Sequence, residues 1–222
     1  MNMKILAIDT ATERCSVALC IDGQWYERAV DTARGHADIV LPMVDDVLKQ
    51  AGVGLRDLDG VAYGRGPGAF TGVRIAIGVV QGLAYGAELS TVGVSNLAAV
   101  AQQFATPGAR ILVCMDARMN EVYWAVFEVG QDGHVRAASE ERVTAPSAVV
   151  ADGTTSLVGT GFKAYPELER KWPELPVQSD ALPRAREIAL LGAAELRAGR
   201  GEPAARARPV YLRDKVTFVK GA

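Results

Sequence analysis

Short apolar runs separated by polar breaks fill the first half of the chain, and their period shifts from strand-like to helical. Lys4–Thr10 (KILAIDT) is an apolar run of strand length that ends in an acid and a hydroxyl. After a turn at Thr12–Arg14, Cys15–Ile21 reads as a second strand, Asp22-Gly23 as a hairpin turn and Gln24–Asp31 as a third strand. The period then becomes helical. Gly35 and His36 introduce a helix over Ala37–Ala51, ended by Gly52, with apolar positions at Ile39, Val40, Met43, Val44, Val47 and Leu48. Leu41 widens that surface beyond one core stripe, and Pro42 falls early enough to be tolerated or to give a mild kink. A short strand, Val61–Tyr63, leads into GRGPGAFTG (Gly64–Gly72), a tight turn. The segment VRIAIGVVQGLAYG (Val73–Gly86) follows at helical spacing, with Thr71 as its expected N-cap. Ser90–Val94 is a further strand, and Ser95 is placed to cap a helix over Asn96–Phe104.

Thr106-Pro107-Gly108 is the clearest break and divides the chain into an N-terminal lobe, 1–106, and a C-terminal lobe, 107–222. The second lobe repeats the opening of the first. Ala109–Asp116 is a strand ending in an acid, Glu121–Val129 a second strand, Asp132-Gly133 a turn, and His134–Glu140 a third strand. Asp9 and Asp116 therefore occupy matching positions, as expected of an internal duplication. A short helix over Pro146–Ala151, a strand over Ser156–Gly159 and a helix over Phe162–Lys171 follow, then a proline-rich stretch from Trp172 to Pro183. Arg184–Arg200 is an amphipathic helix with Ile188, Leu191 and Leu196 on its buried side. Beyond Gly201 lies a basic arm expected to dock on the body or on a partner. Two lobes that each start with a βββ meander carrying an acid on strand one outline an α/β, two-lobe actin/sugar-kinase/Hsp70-like (ASKHA) fold. In that fold the paired acids face a nucleotide cleft, although fold does not fix function.

Composition narrows the classes. A net charge of −2 supplies no global basic field for nucleic acid, although a local patch remains open. Cys15, Cys20 and Cys114 form no CxxC pair and read as buried thiols of a reducing compartment. The N-terminal run is too short for a signal peptide, and no apolar segment is expected to reach a membrane-spanning length. The expected location is the cytoplasm, without membrane contact.

Several quoted stretches together resemble the bacterial TsaB (YeaZ) family: ILAIDTATERCSVAL, GHADIVLPMVDDVL, GRGPGAFTGVRIAIGVVQGLA, VGVSNLAAVA, MDARMNEVYWAVF and PVYLRD. The resemblance runs over most of the chain and is strongest in the first 127 residues. It implies the two-lobe fold and a role in forming N6-threonylcarbamoyladenosine at position 37 of tRNAs that read ANN codons. It further implies direct binding to the transferase TsaD, work with the ATPase TsaE, and a homodimer in isolation. A separate enzyme, TsaC or Sua5, supplies the threonylcarbamoyl-adenylate, and tRNA is expected to be reached through the partner. The family is not itself the transferase and needs no cofactor.

The residues bear on that picture in several places. A TsaD-like catalyst needs two histidines four apart on one helix, but this chain has only His36 and His134, and the position four after His36 is Val40. A two-histidine site on one helix is excluded; a site of carboxylates alone stays open but nothing argues for it, and no catalytic residue and no metal site is expected. Asp9, Thr10, Gly66, Gly68 and Asp116 are the candidates for a vestigial nucleotide cleft holding ATP or ADP weakly, although the loop lacks the lysine and spacing of a P-loop. The alternative function is a small-molecule kinase or ATPase that uses this cleft through Asp9. Ser95 and Cys114 have no histidine near them in sequence and are not convincing nucleophiles. For partner binding the candidates are Ile39, Val40, Met43 and Val47 on one helix, and Ile75, Gly78, Val79 and Gly82 on the next. Gly78, Gly82 and Gly86 form a stripe whose helical cost demands a compensating contact, either with the lobe's own sheet or with a partner backbone. Arg206, Arg208, Arg213, Lys215 and Lys220 in the arm are candidates for RNA contact or for simple solvation.

Overall fold

The computed structural model of the chain describes residues 3–213. In the first lobe the elements are β1 (Lys4–Asp9), β2 (Arg14–Ile21), β3 (Gln24–Asp31), α1 (His36–Ala51), β4 (Gly60–Gly64), α2 (Phe70–Ala87), β5 (Ser90–Val94) and α3 (Asn96–Gln102). The second lobe contributes β6 (Arg110–Asp116), β7 (Val122–Val129), β8 (Val135–Ala137), β9 (Arg142–Thr144), β10 (Ser156–Val158), α4 (Gly161–Ala164), α5 (Pro166–Arg170) and β11 (Val177–Gln178). The chain closes with α6 (Ala185–Arg197) and β12 (Glu202–Pro203).

Each lobe is built on one mixed sheet. The first has the order β12-β5-β4-β1-β2-β3 and the second β11-β10-β6-β7-β8, with β9 also paired to β7. In both, the acid-terminated strand lies between an antiparallel meander and a parallel neighbour: β1 between β2 and β4, β6 between β7 and β10. The duplication expected from the matching acids is thus present in the topology, and the two-lobe ASKHA fold follows from it. The third strand of the second meander is not continuous over 134–140. It is split into β8 and β9, because Ala138 and Ser139 both donate to Val126 O and the Ser139 hydroxyl accepts from Val126 N at 2.9 Å.

Alternation along β1 sends its side chains to two different cores. Leu6 and Ile8 pack with Val40, Val44 and Val47 of α1 and Val73, Ala76 and Val80 of α2. Ile5 and Ala7 face the opposite side, where Ile188 and Ala189 of α6 cover them. Ile188 is fully buried, and removing it from water stabilises the fold by roughly 1.5–3 kcal/mol. On the second sheet, Ile111 and Val113 face α3, whereas Leu112 and Cys114 face Phe162 of α4 and Leu168 of α5.

Three local expectations change. α2 starts at Phe70 with Ala69 at the cap, and Thr71 is an exposed second helical residue that caps nothing. The Ala69 amide is held by Ala11 O at 2.7 Å, which fastens the loop early, and Val73 N then closes the first turn on Ala69 O. α2 is also long and apolar enough to cross a membrane by length and composition, contrary to the expectation for any segment of this chain. It packs against β4, with a third of its residues buried. Finally, the boundary at 107–222 does not hold for the end of the chain. α6 packs on β1, β2, β4 and β5, β12 extends the first sheet beside β5, and the Ala185 amide donates to Ser16 Oγ at 3.0 Å. The last elements therefore belong to the first lobe.

Candidate functional site: an inter-lobe cleft and an open helix face

A cleft of about 1400 Å³ lies between the lobes. Thr10–Arg14, the Gly35–Asp38 start of α1 and the Pro67–Val73 loop wall it on one side. Met115–Arg118, Tyr123, Thr160 and Lys163 wall it on the other. Of the five predicted nucleotide contacts, Thr10, Gly68 and Asp116 line this space, and Asp9 and Gly66 do not.

Asp9 corrects the expectation of paired acids facing the cleft. Its side chain is fully buried. Oδ1 accepts from Asn96 Nδ2 at 2.7 Å, and Asn96 Oδ1 accepts in turn from the Gly66 amide at 2.8 Å. The other oxygen, Oδ2, is buried without a partner among the described residues. Burial pushes the carboxyl up to about 6, although the hydrogen bonds from Asn96 and the Ala11 backbone pull it down. Gly64 makes the arrangement possible, since a Cβ there would collide with the Asp9 carboxylate and the Asn96 amide. The acid thus ties β1, β4 and α3 together instead of reaching a ligand.

The glycine loop is committed in the same way. Thr10 is buried and its hydroxyl donates to Gly72 O at 2.6 Å. A Cβ on Gly68 would lie 2.5 Å from Ala11 O, and one on Gly72 would overlap Thr10 O. These glycines admit the β1–β2 turn against the loop, and that close approach is why the loop is so rich in glycine. Asp116 is half-buried and spent locally. It accepts from the Arg118 amide at 2.8 Å and the Tyr165 hydroxyl at 3.3 Å and pairs with the Arg118 guanidinium at 3.1 Å.

His36 lines the cleft, is nearly buried, and donates Nε2–H to Thr12 O at 2.9 Å. Among the described residues, no three His, Cys, Asp or Glu side chains converge as a metal site would require. Ser95 caps α3, its hydroxyl accepting from the Ala98 amide at 3.2 Å. Burial raises the thiols of Cys15, to about 11, and of Cys114, so both are unreactive neutral groups at neutral pH.

The cleft also holds residues that sequence spacing does not flag: Arg14 paired with Asp31 at 2.7 Å, Lys163 paired with Asp180 at 2.6 Å, and Tyr123. They come from distant segments, and no motif links them. Residues 210–213 of the predicted arm line the cleft. Val210 N donates to Arg65 O at 2.8 Å, Tyr211 stacks on Phe70 with centroids 5.8 Å apart, and Arg213 Nε donates to Glu121 at 3.0 Å. Arg213 is therefore engaged within the chain and not presented to RNA. Lys215 and Lys220 lie outside the described residues.

The predicted partner residues separate into two groups. Val40 and Val47 are fully buried, and Met43 is 7% exposed with its sulfur 3.7 Å from Cys15 Sγ. These three are core residues and are withdrawn from the surface, because α1 turns them onto β2. Ile39, Ile75 and Val79 are half-buried at the margin of the same core. Gly78, Gly82 and Gly86 do not pack on the lobe's own sheet: a Cβ on any of them would meet nothing within 4 Å. Tyr85, 81% exposed, stands beside them, and Leu41 of α1 is 48% exposed.

The chain matches the family described as TsaD: tRNA N6-adenosine threonylcarbamoyltransferase over residues 30–217. It is 42% identical, over 98% of both chains, to the Escherichia coli protein named tRNA threonylcarbamoyladenosine biosynthesis protein TsaB. The Haemophilus influenzae protein of the same name is 37% identical, covering 99% of this chain and 97% of its own. The solved structure of YeaZ from Pseudomonas aeruginosa is 42% identical and superimposes with a TM-score of 0.85 over 95% of this chain and 100% of that one. Sequence identity over the full length and the shared two-lobe architecture agree: the chain belongs to the TsaB (YeaZ) family of tRNA threonylcarbamoyladenosine biosynthesis proteins.

Proposed function

We propose that this protein acts without catalytic chemistry of its own, as the partner that binds and supports a TsaD-type transferase forming N6-threonylcarbamoyladenosine at position 37 of tRNAs reading ANN codons. The observation that carries the reading is a contrast between two sites. The acid a cleft enzyme would expose, Asp9, is sealed beneath Gly64 and Asn96. The glycine stripe of α2 lies uncovered on an apolar helix. Interior helical glycines each cost about 0.5–1 kcal/mol, and an uncovered stripe is offset only when another backbone approaches it.

The binding face in this reading is Gly78, Gly82, Ile75, Val79 and Ile39, with Tyr85 and Leu41 at its edge. A homodimer uses the same face when the transferase is absent, and an ATPase of the TsaE kind joins the assembly in the cytoplasm. ATP or ADP occupies the cleft weakly if at all, through Thr10, Gly68 and Asp116. Val79→Arg places a charge on this face at a half-buried position. It should abolish co-purification with the transferase while circular dichroism stays that of the parent.

Deletion of the gene, followed by mass spectrometry of total tRNA, tests the role itself. Loss of the modified nucleoside is expected, and its retention in a strain with no second copy would sink the assignment. A small-molecule kinase or ATPase is the second reading, favoured by the size of the cleft. Robust ATP turnover by the purified chain alone would select it.

A further inference from the structure

A second concave surface, of about 620 Å³, lies outside the cleft at the β5–β12 edge of the first sheet. Four arginines line it: Arg65, Arg200, Arg206 and Arg208. They arrive from separate points of the fold, after β4, after α6, from the single turn Ala204–Arg206, and from the strap beyond it. Such convergence in a chain of net charge −2 is local and not a reflection of bulk composition.

Two of the four are committed. Arg200 forks onto Glu195 at 2.5 and 2.8 Å, and Arg65 reaches Glu141 at 3.2 Å. Arg206 and Arg208 are exposed and have no carboxylate partner among the described residues. The backbone that carries them is nevertheless pinned. The Arg208 amide donates to the Tyr63 hydroxyl at 3.0 Å, and Ala204 and Ala207 are buried on the lobe. Two arginines thus project from fixed backbone stations, with no carboxylate partner among the described residues to cancel their charge. The one acid of the pocket with no ion-pair partner among the described residues is Glu202, exposed on β12.

We propose that this arginine pocket binds the phosphodiester backbone of an RNA. The proposal rests on the tRNA-modification reading above, which supplies the RNA. Guanidinium groups match phosphate oxygens in charge and fork geometry, and stations spread over an open surface suit successive phosphates of one strand. The aromatic ring of the pocket, Tyr63, is buried and offers no stacking face, so the contact positions RNA without reading bases.

The test is fluorescence anisotropy of the full-length protein with a labelled, unmodified tRNA transcript between about 50 and about 200 mM salt. Arg206→Glu with Arg208→Glu should weaken binding about tenfold or more and flatten the log–log salt slope by about 2, two lost phosphate contacts at roughly 0.9 each. Glu202→Gln should tighten binding about twofold, the opposite sign. Arg56→Glu with Arg170→Glu makes the same change of net charge on remote exposed sites and should shift affinity less than about twofold. Circular dichroism confirms that each variant is folded.

The proposal is overturned if the wild-type protein does not bind the transcript, or if the pocket variant keeps the parent's affinity and slope. It is equally overturned if the remote variant loses as much. Loss of the modified nucleoside on gene deletion, together with unchanged RNA binding by the pocket variant, would remove this contact and leave the functional reading standing.

Discussion

Asp9 keeps the strand-end position expected of a cleft acid, yet its side chain is buried away from the cleft. Its folded pKa, about 6, lies above the ordinary 3.8, so between those values the folded state holds a proton that the unfolded chain releases. Stability therefore falls as pH rises from about 4 to about 6 and levels off above, a contribution of roughly 3 kcal/mol for this one group. Asp9→Asn removes the titration while leaving an acceptor for Asn96. Urea unfolding at a series of pH values should show the variant gaining on the wild type by about 2–3 kcal/mol between pH 4 and 7, and parallel curves would show that Asp9 is not a buried acid. The sequence made this residue visible as a strand-end acid but could not show its burial. Burial depends on Gly64, Asn96 and Gly66, which lie 55 to 87 positions away and become neighbours only when β1 pairs with β4 and α3 closes over both.

At the scale of the element, α2 carries glycines of two kinds that look alike in sequence. Gly72, at the helix start, has no room for a Cβ beside Thr10 O, so Gly72→Ala should destabilise the protein by about 1–3 kcal/mol or more. Gly78 has open space, and Gly78→Ala should raise thermal stability by the helix-propensity difference of about 0.5–1 kcal/mol. Calorimetric melting of the two variants reads both signs. The second substitution has a further consequence if the open stripe is where a partner backbone approaches. Gly78→Ala with Gly82→Ala should then bind the transferase about tenfold more weakly by titration calorimetry while melting higher, and unchanged affinity would place the partner elsewhere. Helical period and glycine spacing alone could not decide how far the free face of α2 extends, because apart from Arg74 and Gln81 the residues from Val73 to Gly86 are apolar or small on every side.

Across the whole molecule the strap at 207–213 joins what the two sheets keep apart. It starts from β12 on the first sheet. The Gln81 side chain donates to Ala207 O at 3.0 Å, and the strap ends with Arg213 on Glu121 and on Ala117 O at 3.1 Å in the second lobe. Arg213 and Glu121 are partly exposed, at 18% and 36%, so the link is worth about 1 kcal/mol after solvent screening. Arg213→Ala should speed hydrogen exchange at Val210, whose amide is bonded to Arg65 O, about fivefold, with little change in the melting temperature. Exchange equal to the parent's would mean that the strap is held from the first lobe alone.

The sequence by itself determined the order of strands and helices, the duplicated meanders and the family, because strand period, turn dipeptides and the quoted motifs are local properties of consecutive residues. It also excluded a histidine pair, which is a matter of spacing on one helix. Only the tertiary structure decided that Asp9 is sealed, that Val40, Met43 and Val47 are core, that the glycine stripe is open, and that α6 and β12 return to the first lobe. Each of these depends on which distant segment comes to lie against a residue. That outcome is set by the burial of several surfaces at once, and no stretch of sequence carries it alone.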